Sequence, residues 1–120
     1  MVRIDFITQL EALGFKVQEL SNNFISFSYK IDVGKFINKE VEIAFQVPDS
    51  FPLTPPHGPH FKPHILPISG GGGTHPYGGI HQSPLGQEWQ HWSRPIKEWG
   101  RTNKTVKIYL AHIRHILDFE

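Results

Sequence analysis

The sequence predicts an α+β fold over residues 1–120, with a helix at each end and an antiparallel meander of three to four strands between them. Apolar residues recur at helical spacing in the first and last segments and alternate with period two in the runs that follow the first helix. The middle differs in composition. All ten prolines lie between Pro48 and Pro95, and eight of the eleven glycines lie between Gly58 and Gly86. That stretch therefore reads as a long Pro/Gly-rich loop segment.

Each element follows from its own pattern. In residues 3–13, Phe6, Leu10 and Leu13 fall on one helical stripe with Ile7 beside it, and Gly14 follows as a C-cap. Residues 16–21 read as a short first strand. In "FISFSYKID", Ile25, Phe27, Tyr29 and Ile31 alternate with smaller polar residues. In "KEVEIAFQV", Val41, Ile43, Phe45 and Val47 do the same, and the turn residues of "DVGKFINK" between the two runs make them a hairpin. A further short strand fits "HFKPHI", where Pro63 confines it to an edge or a few residues. Residues 103–118 repeat Val106, Leu110, Ile113 and Leu117 at helical steps, widened by Tyr109 and Ile116. Thr102 or Asn103 is placed to cap that helix.

Composition removes several classes. Twelve basic and eleven acidic residues give a net charge of +1 with no Lys/Arg run, so nucleic acid is not an expected partner. Zero cysteines exclude disulfides, zinc ribbons and thiol catalysis in this chain. No apolar run reaches the length of a membrane span, and the start "MVRIDFITQL" does not read as a secretory signal, so the expected location is cytoplasmic. Nine Phe, three Tyr and three Trp supply enough apolar surface for one core. Trp89, Trp92 and Trp99 favour packing over disorder in the irregular middle. The run Gly70 to Gly73 lacks the Gly-Lys-Ser/Thr of a phosphate loop; it reads as a hinge over the site or as a loop with no role.

After the third strand comes "VPDSFPLTPPHGPHF", and later "HPYGGIHQ" followed by Trp89 and Trp92. The first segment, with Phe51, Pro52, Leu53, Pro55 and Pro56, resembles the proline-rich segment of ubiquitin-conjugating enzymes. The second resembles their His-Pro-Asn triplet and catalytic loop, with His75, Pro76 and Tyr77 on the triplet. His81 stands where those enzymes carry the catalytic cysteine, and Tyr77 where they carry Asn. The short length resembles the bacterial branch of that superfamily, which includes members without the cysteine. The resemblance implies a part in a ubiquitin-like conjugation pathway. The partners it implies are a ubiquitin-like protein, an activating enzyme that docks on the first helix, and a JAB-type metallopeptidase in the same pathway. It also implies that His75, beside Pro76, braces the active loop. Tryptophans are more often core than ligand platform, so Trp89 and Trp92 are expected to pack beneath that loop, while Phe51 or Leu53, if exposed, would suggest a docking patch for a partner.

Without a cysteine the family's thioester chemistry has no nucleophile, and the chemistry stays open between three readings. His81 can attack directly, giving a reactive acyl-imidazole. His81 can act as general base for Ser83, which then carries the acyl group as an ester, with the Tyr77 hydroxyl in place of the Asn donor. Alternatively neither reacts, and the chain is a non-catalytic scaffold that binds a ubiquitin-like protein, as cysteine-less eukaryotic relatives do. A separate class is a metal-dependent enzyme built on the histidines. His57, His60 and His64 lie close in sequence, but the prolines around them forbid a helix. His60 and His64 on a strand stand roughly 13 Å apart. No HExxH-type motif is present, so neither a metal nor another cofactor is assigned. His112 and His115 read as solvent-facing residues near the end of the last helix.

Overall fold

The computed structural model describes residues 2–66, 68 and 79–119. Helix α1 spans Val2–Ala12 and buries Phe6 and Leu10 completely. It ends as the sequence predicts. Gly14 takes a left-handed φ of 98°, its N–H donates to the Glu11 carbonyl at 3.0 Å, and the Phe15 N–H donates to the Leu10 carbonyl at 3.2 Å. This paired arrangement satisfies two of the carbonyls that a helix end leaves over. Leu13, expected on the buried stripe, is 42% exposed, because the helix has already stopped and the turn carries it outward.

The described residues form one antiparallel sheet of six strands, more than the three or four predicted. The strands are β1 (Gln18–Glu19), β2 (Phe24–Lys30), β3 (Glu40–Gln46), β4 (His60–Lys62), β5 (Ile80–Ser83) and β6 (Gly86–Trp92), in the order β1-β2-β3-β4-β6-β5. The β2–β3 hairpin runs in unbroken register from Phe24↔Gln46 to Lys30↔Glu40. Strand β1 keeps only two residues of the predicted 16–21, and β4 stops before Pro63, which has no N–H to continue a ladder. The main difference lies at residues 80–92, read from sequence as an active loop. They form the β5–β6 hairpin, closed by the two-residue turn Pro84–Leu85.

Pairing sorts the side chains onto two faces. Ile25, Phe27, Ile43, Phe45, Phe61, Ile80 and Trp92 point toward the helices and are buried. Phe45 meets Phe6 of α1 at 5.8 Å and Tyr109 of the second helix at 5.0 Å, both edge-on, the geometry aromatic pairs prefer. The opposite face carries a smaller apolar cluster of Phe24, Ala44 and Trp89, with Leu20 and Leu85 packed against it.

Helix α2 covers Val106–Phe119, three residues later at its start than expected. Its cap is Thr105, whose hydroxyl accepts from the Ile108 N–H at 3.3 Å, rather than Thr102 or Asn103. Thr102 is engaged one turn earlier, donating to the Trp99 carbonyl at 2.7 Å. The Val106 N–H is taken by the Gln9 side chain at 2.9 Å, which ties α1 to the first turn of α2. Trp99 packs edge-on to Tyr109 and donates from its indole N–H to the Pro52 carbonyl at 2.7 Å, which places it at the base of α2. His112, expected to face solvent, is partly buried and bonds the Arg94 carbonyl through Nε2 at 2.9 Å, while His115 is exposed.

Candidate functional site

Strand register gathers three histidines into one row. On the face away from the helices, Ser26, Ala44, His60, His91 and His81 follow one another across β2, β3, β4, β6 and β5. The His60 and His91 rings stack at 4.3 Å and 11°, and His81 lies 6.2 Å from His91 at a tilt. Phe24 closes the other side of His60 edge-on at 4.9 Å. His60 is only 5% exposed, and the Nε2 atom of His91 is a buried ring nitrogen without a partner among the described residues.

A register jump then brings Ser83 to this row. Gln82 pairs with Gln90, but Ser83 pairs with Gly86, so Gln87, Glu88 and Trp89 stand opposite a single step of β5. A bulge of this kind bends its strand and re-aims side chains. Here it accompanies a contact across a strand that intervenes: Ser83 Oγ lies 2.8 Å from His60 Nδ1, although β4 and β5 are separated by β6. The Leu85 N–H donates to the same Oγ at 3.1 Å and fixes the hydroxyl at the hairpin turn. Ser83 also borders a cleft of about 410 Å3, lined further by His64, Gln82, Gly86, Gln87 and Trp89. His64 is held there by a 3.0 Å bond from Nε2 to the Trp89 carbonyl, and the Lys62 ammonium sits 5.5 Å over the Trp89 ring.

The electrostatics follow from burial. Loss of water pushes His60 down to about 3, and the neighbouring His91 adds to the effect. His91 is lowered by burial first and then by His81 and His57. The row is therefore neutral at its centre near pH 7, and the His60 ring has a free lone pair available. Among the described residues, no group of three or more His, Asp or Glu side chains converges as a metal site.

The structure separates residues that the sequence grouped. Ser83 meets an imidazole, but it is His60 rather than His81. His81 is half-buried on β5, and its described contact is the ring of His91. Trp89 and Trp92 lie on opposite faces of β6 instead of beneath one loop: Trp92 is in the main core, and Trp89 is beside the histidine row. Phe51 is 1% exposed and packs 4.9 Å from Phe6, so it is core and not a docking residue, whereas Leu53 is 73% exposed. His75, Pro76, Tyr77 and the Gly70–Gly73 run lie outside the described residues. The sequence alone presents His60 only as a candidate metal ligand. The signal that could have found it is register: once 80–92 is read as a hairpin, its polar residues alternate and stack beside β4.

A buried fully polar residue stiffens the far side of the hairpin. Gln90 is wholly buried; its Oε1 accepts from the N–H groups of Ile65 and Leu66 and from the Trp92 indole, and its Nε2 donates to the Leu66 carbonyl. This network clamps residues 65–66 to β6. Together with the His64 bond, it fixes one wall of the cleft at both ends.

Neither a curated protein nor a solved structure matches the chain. A family model does, and it spans residues 7–120, from the middle of α1 past the end of α2. On that match, which takes in the whole six-stranded sheet, the chain belongs to Prokaryotic E2 family E.

Proposed function

We propose that this protein serves a bacterial ubiquitin-like conjugation pathway, where it receives or positions a ubiquitin-like protein delivered by an activating enzyme. The observation that carries this reading is the family match over residues 7–120, which includes the whole sheet and the histidine row. The absence of cysteine makes positioning the part of the role that needs no further chemistry. Leu53, at 73% the most exposed large apolar side chain among the described residues, is the partner contact we assign; a single exposed leucine is common on protein surfaces, so the binding test below carries the assignment. The competing metal-enzyme reading has no converging donor set among the described residues to favour it.

The test is direct binding. The purified chain is mixed with the ubiquitin-like protein and activating enzyme encoded nearest its gene, with magnesium and ATP, and followed by gel filtration and calorimetry. Co-elution with either partner, weakened at least about tenfold by Leu53→Asp, is the expected result. Failure to bind either partner, with folded protein confirmed by circular dichroism, would remove the reading.

A further inference from the structure

We propose that Ser83 is an acyl-accepting nucleophile on this fold, with His60 as its proton acceptor and the cleft beside it as the seat of an extended acyl donor. This rests on the conjugation reading above and specifies the atom on which an acyl group would be held.

Three independent features of the structure meet at Ser83. The first is the 2.8 Å approach of Oγ to His60 Nδ1, which is within the distance a nucleophile–base pair requires. The second is the bulge. A regular hairpin would leave Ser83 out beside β6 alone, and the register jump instead accompanies a contact with the strand beyond it. The third is access. Ser83 is only 9% exposed, yet it borders the 410 Å3 cleft, so the hydroxyl is shielded from bulk water and still reachable by a slender substrate. A chain end of small residues fits such a space better than a bulky one.

The chemistry balances with a thioester as the acyl donor. With the ring proton on Nε2, the Ser83 hydroxyl donates to His60 Nδ1. As Oγ attacks the acyl carbon, its proton passes to Nδ1. The carbon–sulfur bond then breaks, and the departing thiolate takes that proton. The products are an oxygen ester on Ser83, a free thiol and neutral His60. An amine can next attack the ester carbon and displace Oγ, which is reprotonated, leaving an amide and the starting serine. Nothing is oxidised or reduced. A thioester is the more reactive acyl compound, so transfer to the hydroxyl is downhill, and the amide lies lower still.

His60 pairs with Ser83 from within the sheet, clamped between the His91 stack and the Phe24 edge. His81 on the neighbouring strand touches His91 instead and takes no part in this step. The two imidazoles are therefore separable by substitution.

The experiment uses the full chain and a defined probe, the thioester of a short peptide ending in two glycines. Labelling is followed by intact mass and located by peptide mapping, for wild type, Ser83→Ala, His60→Gln and His81→Ala. The expected result is a hydroxylamine-labile adduct on the peptide containing Ser83. Ser83→Ala should abolish it, His60→Gln should slow it by about tenfold, since an imidazole held at about 3 is a weak acceptor, and His81→Ala should leave it unchanged. Circular dichroism checks that each variant is folded, and Ser83→Thr, which keeps a hydroxyl at the same atom, provides a folded control expected to retain slow labelling. An adduct on His81, labelling unchanged in Ser83→Ala, or no adduct on folded wild type would overturn the proposal. Because partner binding is measured separately, loss of labelling with binding intact sinks only this step. Loss of binding sinks the conjugation reading itself.

Discussion

At the scale of single residues, the histidine row shows how one unmet polar atom can be weighed against packing. His91 contributes a ring face to the His60 stack, yet its Nε2 is buried without a partner among the described residues. A buried ring nitrogen left unpaired costs about 1–3 kcal/mol, while the flat apolar area of the ring favours the same position. His91→Phe keeps the stack and removes the orphan nitrogen, so it is expected to hold or raise stability by about 1 kcal/mol in urea unfolding. A loss of more than about 1 kcal/mol would show that the nitrogen is satisfied in solution. His60 behaves differently, because its Nδ1 is engaged with Ser83 and its removal leaves that hydroxyl, among the described residues, with the Leu85 N–H as its partner.

At the scale of elements, the helices and the β2–β3 hairpin were legible in the sequence and the β5–β6 hairpin was not. Phe6, Leu10, Ile113 and Leu117 repeat at helical steps because a single face of each helix is buried, and Ile25 to Ile31 alternate because one face of β2 packs on the helices. In β5 and β6 the same alternation exists, but both faces carry polar side chains. Gln82 and Gln90 lie on the helix side, and His81, Ser83 and His91 lie on the other, so hydrophobicity gives no period to read. The one local signature of the hairpin is Ser83-Pro84-Leu85-Gly86, whose proline and glycine suit a tight turn but occur equally in a long Pro/Gly-rich loop. Long-range caps were equally illegible, since nothing in "VRIDFITQLEA" shows that Gln9 will reach a helix almost a hundred residues away. Gln9→Ala leaves the Val106 N–H without its acceptor at a helix start and is expected to cost about 1–2 kcal/mol. Thermal unfolding checks this. By contrast, the Arg114–Asp32 pair is exposed on both sides, and Arg114→Ala should change stability by less than about 0.5 kcal/mol. If the order of those two effects were reversed, the tie between α1 and α2 would not be the stabilising contact that its geometry indicates.

At the scale of the whole molecule, the buried histidines link folding to pH. The described ionisable neighbours of this row are other histidines: His60 faces His91, and His91 faces His81 and His57, each of which disfavours the cation. His112, on α2, is lowered by burial, and more weakly by His115, against the raising effect of its bond to the Arg94 carbonyl. In the unfolded chain each of these imidazoles would take up a proton near its ordinary value of about 6.5. In the folded protein His60 does so only near 3. Between those values the unfolded state binds the extra proton, so stability is complete above about 6.5 and is lost as pH falls toward 3. His60 alone contributes about 2 kcal/mol of that loss at about pH 5, and His91 and His112 act in the same direction. Urea unfolding followed by tryptophan fluorescence should therefore give a lower midpoint at about pH 5 than at about pH 7.5. Carboxylates also lose stabilising charge in acid, but they are common to wild type and variants, so the comparison that matters is with His60→Gln. That variant removes one titrating group from the sheet and should show a smaller fall between the two pH values. An equal fall in both proteins would mean that His60 is protonated in the folded state at about pH 5. It would then no longer be the neutral acceptor that the 2.8 Å contact with Ser83 needs.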